Sequence, residues 1–129
     1  MEYLADTVAI IRYFSRTGKI GKDAKKILKA ADLGENIVYI SIISMVEIMY
    51  LAETNRIPVD FNSTKNHILE STNYRMINLN LEIVEEAKRI NGLELHDRLI
   101  VATGIYLNIP ILTCDQSIID SDSITAVWK

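Results

Sequence analysis

Leu93–Tyr106, LELHDRLIVATGIY, is the stretch on which the fold turns. It reads as a helix enclosed by protein, because its apolar residues run around the whole cylinder rather than along one stripe. One residue disagrees with that environment. Asp97 sits near the helix start with Leu95, Leu99, Ile100 and Val101 around it, which points its carboxylate into a partly buried groove. A carboxylate there needs a compensating group. Three more acids stand where they can meet it: Asp6, Glu47 and Asp115. The four read as one metal site, and the rest of the chain as the scaffold that assembles it.

Outward from that helix, short apolar runs alternate with helical stripes. Tyr3–Ala5, Ile37–Ile40, Arg75–Asn78 and Ile111–Thr113 read as buried strands, with Ala126–Trp128 as a last edge strand. Val8–Phe14 reads as a helix. Lys19–Leu33 carries Ile20, Ala24, Ile27, Leu28 and Ala31 at amphipathic spacing, with Gly34 placed to end it. Helices follow from Ser41–Ser44 to about Asn55, stopped before Pro58, and over Phe61–Ser71 with Ile68 and Leu69 inward. Leu81–Asn91 is another, with Ile83, Val84, Ala87 and Ile90 inward. The alternation predicts one α/β domain over residues 1–129, an open parallel sheet with helices on both faces. Ligands of such sheets sit beyond the carboxyl ends of the strands, where the strand order switches. Asp6 and Asp115 each follow a strand directly.

Bulk properties narrow the function. Of 129 residues 49% are hydrophobic, enough for a real core. The formal charge of −3 argues against nucleic-acid binding through a strong overall positive field, but a bound cation or a local patch can supply the attraction. Lys19, Lys22, Lys25, Lys26 and Lys29, with Arg12 and Arg16, make such a patch, or else a solvated helix face. A single cysteine, Cys114, excludes an internal disulfide; it reads as a strand-end packing residue. The start of the chain lacks the pattern of a secretory signal, and no apolar run is long enough for a membrane helix. A cytoplasmic protein is expected.

Each acid has a local explanation as well as a chemical one. Asp6 suits a helix cap, and Ser44–Glu47 fits the S-x-x-E capping box. Asp97 suits the positive end of its helix, and Asp115 a turn. Their joint arrangement carries more than any one of them. Two carboxylates ~5 Å apart repel by about 3 kcal/mol at an effective dielectric of ~20, so a cluster must take up protons or bind a cation. Oxygen-only ligands favour Mg²⁺ or Mn²⁺, and His67 and His96 do not make a zinc set. His96 reads as a helix-start residue and His67 as a surface one. No phosphate loop, dinucleotide fingerprint or nucleophile elbow occurs. Thr7, Ser44 and Thr113 adjoin the acids and are candidates to orient them. Thr103 reads as bonded to its own helix, and Gly104 as a point of close approach to the sheet.

Leu4-Ala5-Asp6-Thr7, Ser44-Met45-Val46-Glu47, His96-Asp97-Arg98-Leu99-Ile100-Val101-Ala102-Thr103 and Leu112-Thr113-Cys114-Asp115 resemble, in order and spacing, the PIN-domain family. The chain is most similar to its small single-domain toxin ribonucleases of the VapC type, over essentially its whole length. The resemblance implies a three-layer α/β/α fold with a five-stranded parallel sheet, often dimeric. It implies an acidic pocket of Asp6, Glu47, Asp97 and Asp115 holding Mg²⁺ or Mn²⁺, endonucleolytic cleavage of RNA, and a separately encoded antitoxin covering the groove. Lys and Arg of the first two helices are then candidates to hold flanking phosphates.

Two other readings stay beside it: an RNA-processing nuclease that is not a toxin, and a non-catalytic interaction module on the same fold. A phosphorylatable signalling receiver fits poorly. Asp6 is single, Asn78 and Asn80 fill the end of the third strand, and only Lys129 is near the last strand. Met45, Ile48, Met49 and Leu51 are candidates for a dimer face or for the core.

Overall fold

The computed structural model describes residues 1–129. The chain runs β1 (Glu2–Ala5), α1 (Thr7–Ser15), α2 (Lys22–Asp32), β2 (Ile37–Ser41), α3 (Ile42–Glu53), α4 (Phe61–Glu70), β3 (Tyr74–Ile77), α5 (Leu81–Lys88), α6 (Leu95–Leu107), β4 (Ile111–Leu112), α7 (Gln116–Ser121) and β5 (Ala126–Val127). The strands form one sheet in the order β3-β2-β1-β4-β5, and every pair is parallel. The order reverses at β1, which has β2 on one side and β4 on the other. That is the switch point where such sheets bind ligands.

Strand alternation divides the core between two faces. Ala5, Val38, Ile40 and Leu112 pack with Ile10 of α1, Leu28 of α2, Ile48 of α3 and Ile68 of α4. Leu4 and Ile111 point the other way, to Ile83 of α5, Val101 of α6 and Ile118 of α7. The result is the expected α/β/α sandwich. With both faces covered, the strands carry near-continuous apolar runs, as in IVYI of β2. A Cβ on Gly104 of α6 would meet Ile124 Cδ1, in the segment before β5, at 2.3 Å and Leu4 Cδ2 of β1 at an ordinary 3.5 Å, so the close approach is to that segment and not to the sheet. Thr103 donates to Leu99 O at 2.7 Å, within its own helix.

Several details differ from the sequence reading. Helix α2 begins at Lys22, not Lys19, because its first turn is capped from the other end of the chain. The Ala24 N–H donates to Trp128 O at 3.2 Å, and a Cβ on Gly21 would lie 1.8 Å from that oxygen. Helix α7 was not anticipated; six residues are too few to show a helical period. Leu69 and Val84 face solvent, at 64% and 48% exposure. The buried stripes of α4 and α5 run through Thr64 and Ile68, and through Ile83 and Ala87, which leaves the next residue in each turned ~100° away. Met45 and Ile48 are core residues, whereas Met49 is exposed with its neighbours Val46 and Tyr50. No helix is long and apolar enough to cross a membrane.

Candidate active site

Strand β1 hands directly to Asp6, whose backbone N–H extends the ladder by donating to Leu112 O of β4 at 3.1 Å. The Asp6 side chain is 5% exposed. Its Oδ1 accepts from the Ala9 N–H at 2.8 Å, the helix-capping bond of α1, and its Oδ2 accepts from the Thr113 hydroxyl. The Thr113 oxygen in turn accepts from the Asp115 N–H at 3.0 Å. Asp115 caps α7, taking the Ser117 N–H on Oδ1 at 2.8 Å. The local reading of Asp6 as a cap therefore holds, and Asp115 is a cap rather than a turn residue. Each still has carboxylate oxygen on the same edge of the sheet, at the β1–β4 junction.

The capping-box reading of Ser44–Glu47 fails. Ser41 caps α3, accepting from the Ile43 N–H at 3.1 Å, and Ser44 lies inside the helix. Glu47 is held instead by α1. The Thr7 hydroxyl donates to Glu47 Oε1 at 2.7 Å and lies 2.9 Å from the Ser44 hydroxyl. Seven polar or charged residues are buried, and four of them are Asp6, Thr7, Ser44 and Thr113. The other three are used locally: Ser41 as the cap, Thr64 on Asp60 O and Thr103 on Leu99 O. Buried polarity beyond what the helices themselves need is concentrated at this one place.

Asp97 is the third residue of α6. Its backbone N–H donates to Glu94 Oε1 at 2.9 Å, with Glu94 as the cap. The carboxylate is half-buried and makes no side-chain hydrogen bond within the protein. Leu95 is not part of its surroundings in the expected sense, being 56% exposed at the first helical position. His96 turns toward Glu94, with Nδ1 3.9 Å from Oε2.

Electrostatics tie these groups together. Burial pushes the Asp6 carboxyl up from 3.8 to about 6; the hydrogen bonds from Thr113 and Ala9 oppose that rise, and the charges of Asp115 and Glu47 add to it. Burial also raises Asp97 to about 6, followed by the charges of Asp115, Glu94, Glu47 and Asp6. The four acids are thus within Coulombic reach of one another. The N-termini of α1, α6 and α7 present their positive ends to Asp6, Asp97 and Asp115, which offsets part of the repulsion. No three His, Cys, Asp or Glu side chains converge closely enough to hold a metal ion as they stand. The donor set, oxygen only and mutually repelling, has the chemistry that suits a hard divalent cation.

Two neighbours escaped the sequence reading. Glu94 contributes both the cap and a charge beside Asp97; the spacing E-x-x-D was the available signal. Arg12 reaches Cys114 Sγ at 3.9 Å, a contact across 102 residues that no local pattern announces.

The model of the PIN domain matches residues 3–122. The chain belongs to the PIN domain family. Members of this family are typically nucleases. No curated protein matches the chain. Among solved structures, this PIN domain is similar in fold to VapBC2 from Rickettsia felis bound to a DNA fragment from its promoter, with a TM-score of 0.76, 14% identity and full coverage of both chains. A toxin–antitoxin complex from Klebsiella pneumoniae matches with a TM-score of 0.58 and 24% identity, over 88% of this chain and 87% of that one. FitAcB from Neisseria gonorrhoeae matches with a TM-score of 0.67 and 16% identity, over 96% and 95%.

Proposed function

We propose that this PIN domain is a metal-dependent endoribonuclease acting as the toxin of a type II toxin–antitoxin pair. The observation that carries the reading is that Asp6, Glu47, Asp97 and Asp115 lie near one another at the switch-point edge of the sheet, with Asp6 and Asp97 raised first by burial and then by the charges of the other acids. Membership of a family of nucleases supports the hydrolytic part. Fold similarity to toxin–antitoxin complexes supports an antitoxin as partner. A homodimer belongs to the same reading, and the exposed Val46, Met49 and Tyr50 of α3 are available to it.

Asp6, Asp97 and Asp115 would hold Mg²⁺ or Mn²⁺, with Glu47 as a further ligand. Bound there, the cation would polarise the scissile phosphate and favour ionisation of the attacking water. The chain's own groups do the rest. Thr113 and the Ala9 N–H fix both oxygens of Asp6. Thr7 fixes one oxygen of Glu47 and leaves the other to accept a proton from water. In-line attack leaves a 5′-phosphate and a 3′-hydroxyl.

The test is cleavage of a total-RNA pool with mapped 5′ ends, by purified protein free of any antitoxin. Discrete cuts that require Mg²⁺ or Mn²⁺ and vanish in Asp97→Asn support the reading. Absence of cuts, with no metal-induced change in melting temperature, refutes it and favours the non-catalytic interaction module.

A further inference from the structure

Helices α5 and α6 pack side by side and are joined by a short connection. The last anchored residue before it is Ile90, buried with Ile83 and Ala87, and the first after it is Leu93, packed against the same cluster. Between them stand only Asn91 and Gly92, both exposed. The backbone bonds of α5 end with the Ile90 N–H on Ala87 O at 3.1 Å, and those of α6 start with the Arg98 N–H on Glu94 O at 3.0 Å. The Gly92 N–H donates to no group of the protein, and the Asn91 side chain makes no hydrogen bond within it. Gly92 has a φ of +84°, and a Cβ there would meet nothing within 4 Å. Glycine therefore serves the left-handed turn of the backbone, and solvent reaches both residues.

An asparagine followed by glycine carries an electrophile and a nucleophile in one dipeptide. The Gly92 nitrogen can attack Asn91 Cγ. The new C–N bond closes a succinimide ring, the bond from Cγ to Nδ2 breaks, and ammonia leaves with the proton that Gly92 gave up. Water then opens the ring at either carbonyl, giving aspartate or isoaspartate. No oxidant or reductant is needed. A side chain on the second residue hinders ring closure, and a peptide held in a hydrogen-bonded element opens only at a cost in free energy. Of nine asparagines, Asn91 alone precedes glycine. Asn62 precedes a small residue, but it lies inside α4, where Asp60 accepts from the Ser63 N–H at 2.9 Å.

We propose that Asn91–Gly92 is a site of spontaneous deamidation in the folded protein, and that its isoaspartyl product disturbs the start of α6. The proposal does not depend on the nuclease reading. Isoaspartate routes the main chain through the side-chain carbon and so adds one atom between Ile90 and Leu93. Only two residues are there to absorb it. The change passes to Glu94, which caps α6, and to Asp97, whose N–H that cap holds at 2.9 Å. Either product also places a new negative charge three residues before Glu94.

The test ages the purified protein at 37 °C and pH 8, where the Gly92 amide loses its proton more readily than at neutral pH. Trypsin then releases Ile90–Arg98, in which Asn91 is the only asparagine. Mass spectrometry follows the change from amide to acid, and chromatography separates the aspartyl and isoaspartyl peptides. Asn91 is expected to react before every other asparagine, taking one heavy oxygen from labelled water. Its rate should lie within about tenfold of that in urea-unfolded protein, a barrier difference of ~1.4 kcal/mol or less. Asn91→Gln, whose amide would need a larger ring, should stay unmodified. A folded-state rate more than about tenfold below the unfolded one, or another asparagine reacting first, overturns the site. The separated isoaspartyl protein should melt several degrees below fresh protein. Asn91→Asp, with the same charge and no added backbone atom, should melt with fresh protein, as exposed substitutions generally do. Equal melting of the isoaspartyl and fresh forms overturns the effect on α6.

Discussion

Replacing Asp6 by Asn should stabilise the metal-free protein at neutral pH and not at acid pH. The folded protein holds the Asp6 carboxyl at about 6 against an ordinary 3.8. Each pH unit corresponds to ~1.36 kcal/mol, so ionised Asp6 costs the fold about 3 kcal/mol. The sign follows from linkage. Between those two values the folded state binds more protons than the unfolded chain. Stability from this group is fully present below 3.8, falls as pH rises, and has gone above about 6. Asn keeps the acceptor for the Ala9 N–H but gives the Thr113 hydroxyl an amide where it had a carboxylate, at a cost of ~1 kcal/mol. The net expectation is a gain of about 2 kcal/mol at pH 7.5 and a loss of about 1 kcal/mol at pH 3.5. At ~2.1 cal/mol/K per residue, the neutral gain raises Tm by about 7 °C. Urea and thermal denaturation of both proteins in EDTA, at pH values across this range, read it out. A stability difference independent of pH would refute the claim that Asp6 is an unfavourably buried charge.

Other outcomes follow from the same geometry. With the metal limiting, cleavage should rise with pH through about 6, because the acids raised by burial and by their neighbours must ionise to take up the cation; a rate–pH profile flat from pH 5 to 7.5 under those conditions would contradict this. Thr7→Val should cut kcat about tenfold by freeing Glu47, whereas Thr7→Ser, which keeps the donor, should restore most of it. Equal loss in both would assign Thr7 to packing. Gly21→Ala should destabilise the protein by about 2 kcal/mol or more, because the added methyl meets the Trp128 carbonyl; an unchanged urea midpoint would show that the chain end is not clamped there.

The architecture was legible because its signals are local. Buried parallel strands are apolar runs, and helices repeat every 3.6 residues, so the sheet, its helical layers and the strand-end positions of Asp6 and Asp115 could be read directly. The errors have two causes. The start of α2 and the holding of Glu47 by Thr7 depend on partners far away in sequence, whereas Leu69 and Val84 were misplaced by one step of helix phase and α7 is too short to show a period. Glu47 shows the point most clearly. The sequence offers a capping box, and the fold uses Ser41 for the cap and turns Glu47 to the α1 hydroxyl. In the candidate site, the strand-end and helix positions of the acids could be read from the sequence. What holds each oxygen could not, nor could the nearness of Arg12 to Cys114.

The central claim is that Asp6, Glu47, Asp97 and Asp115 form one cation site. Calorimetric titration of the purified protein with Mn²⁺ at pH 6 and pH 7.5 tests it most directly. The account predicts saturable binding that releases protons at pH 6, where Asp6 and Asp97 are partly protonated, and that is lost in Asp97→Asn with the fold intact. Binding that Asp97→Asn leaves unchanged, or no saturable binding at either pH, would contradict it.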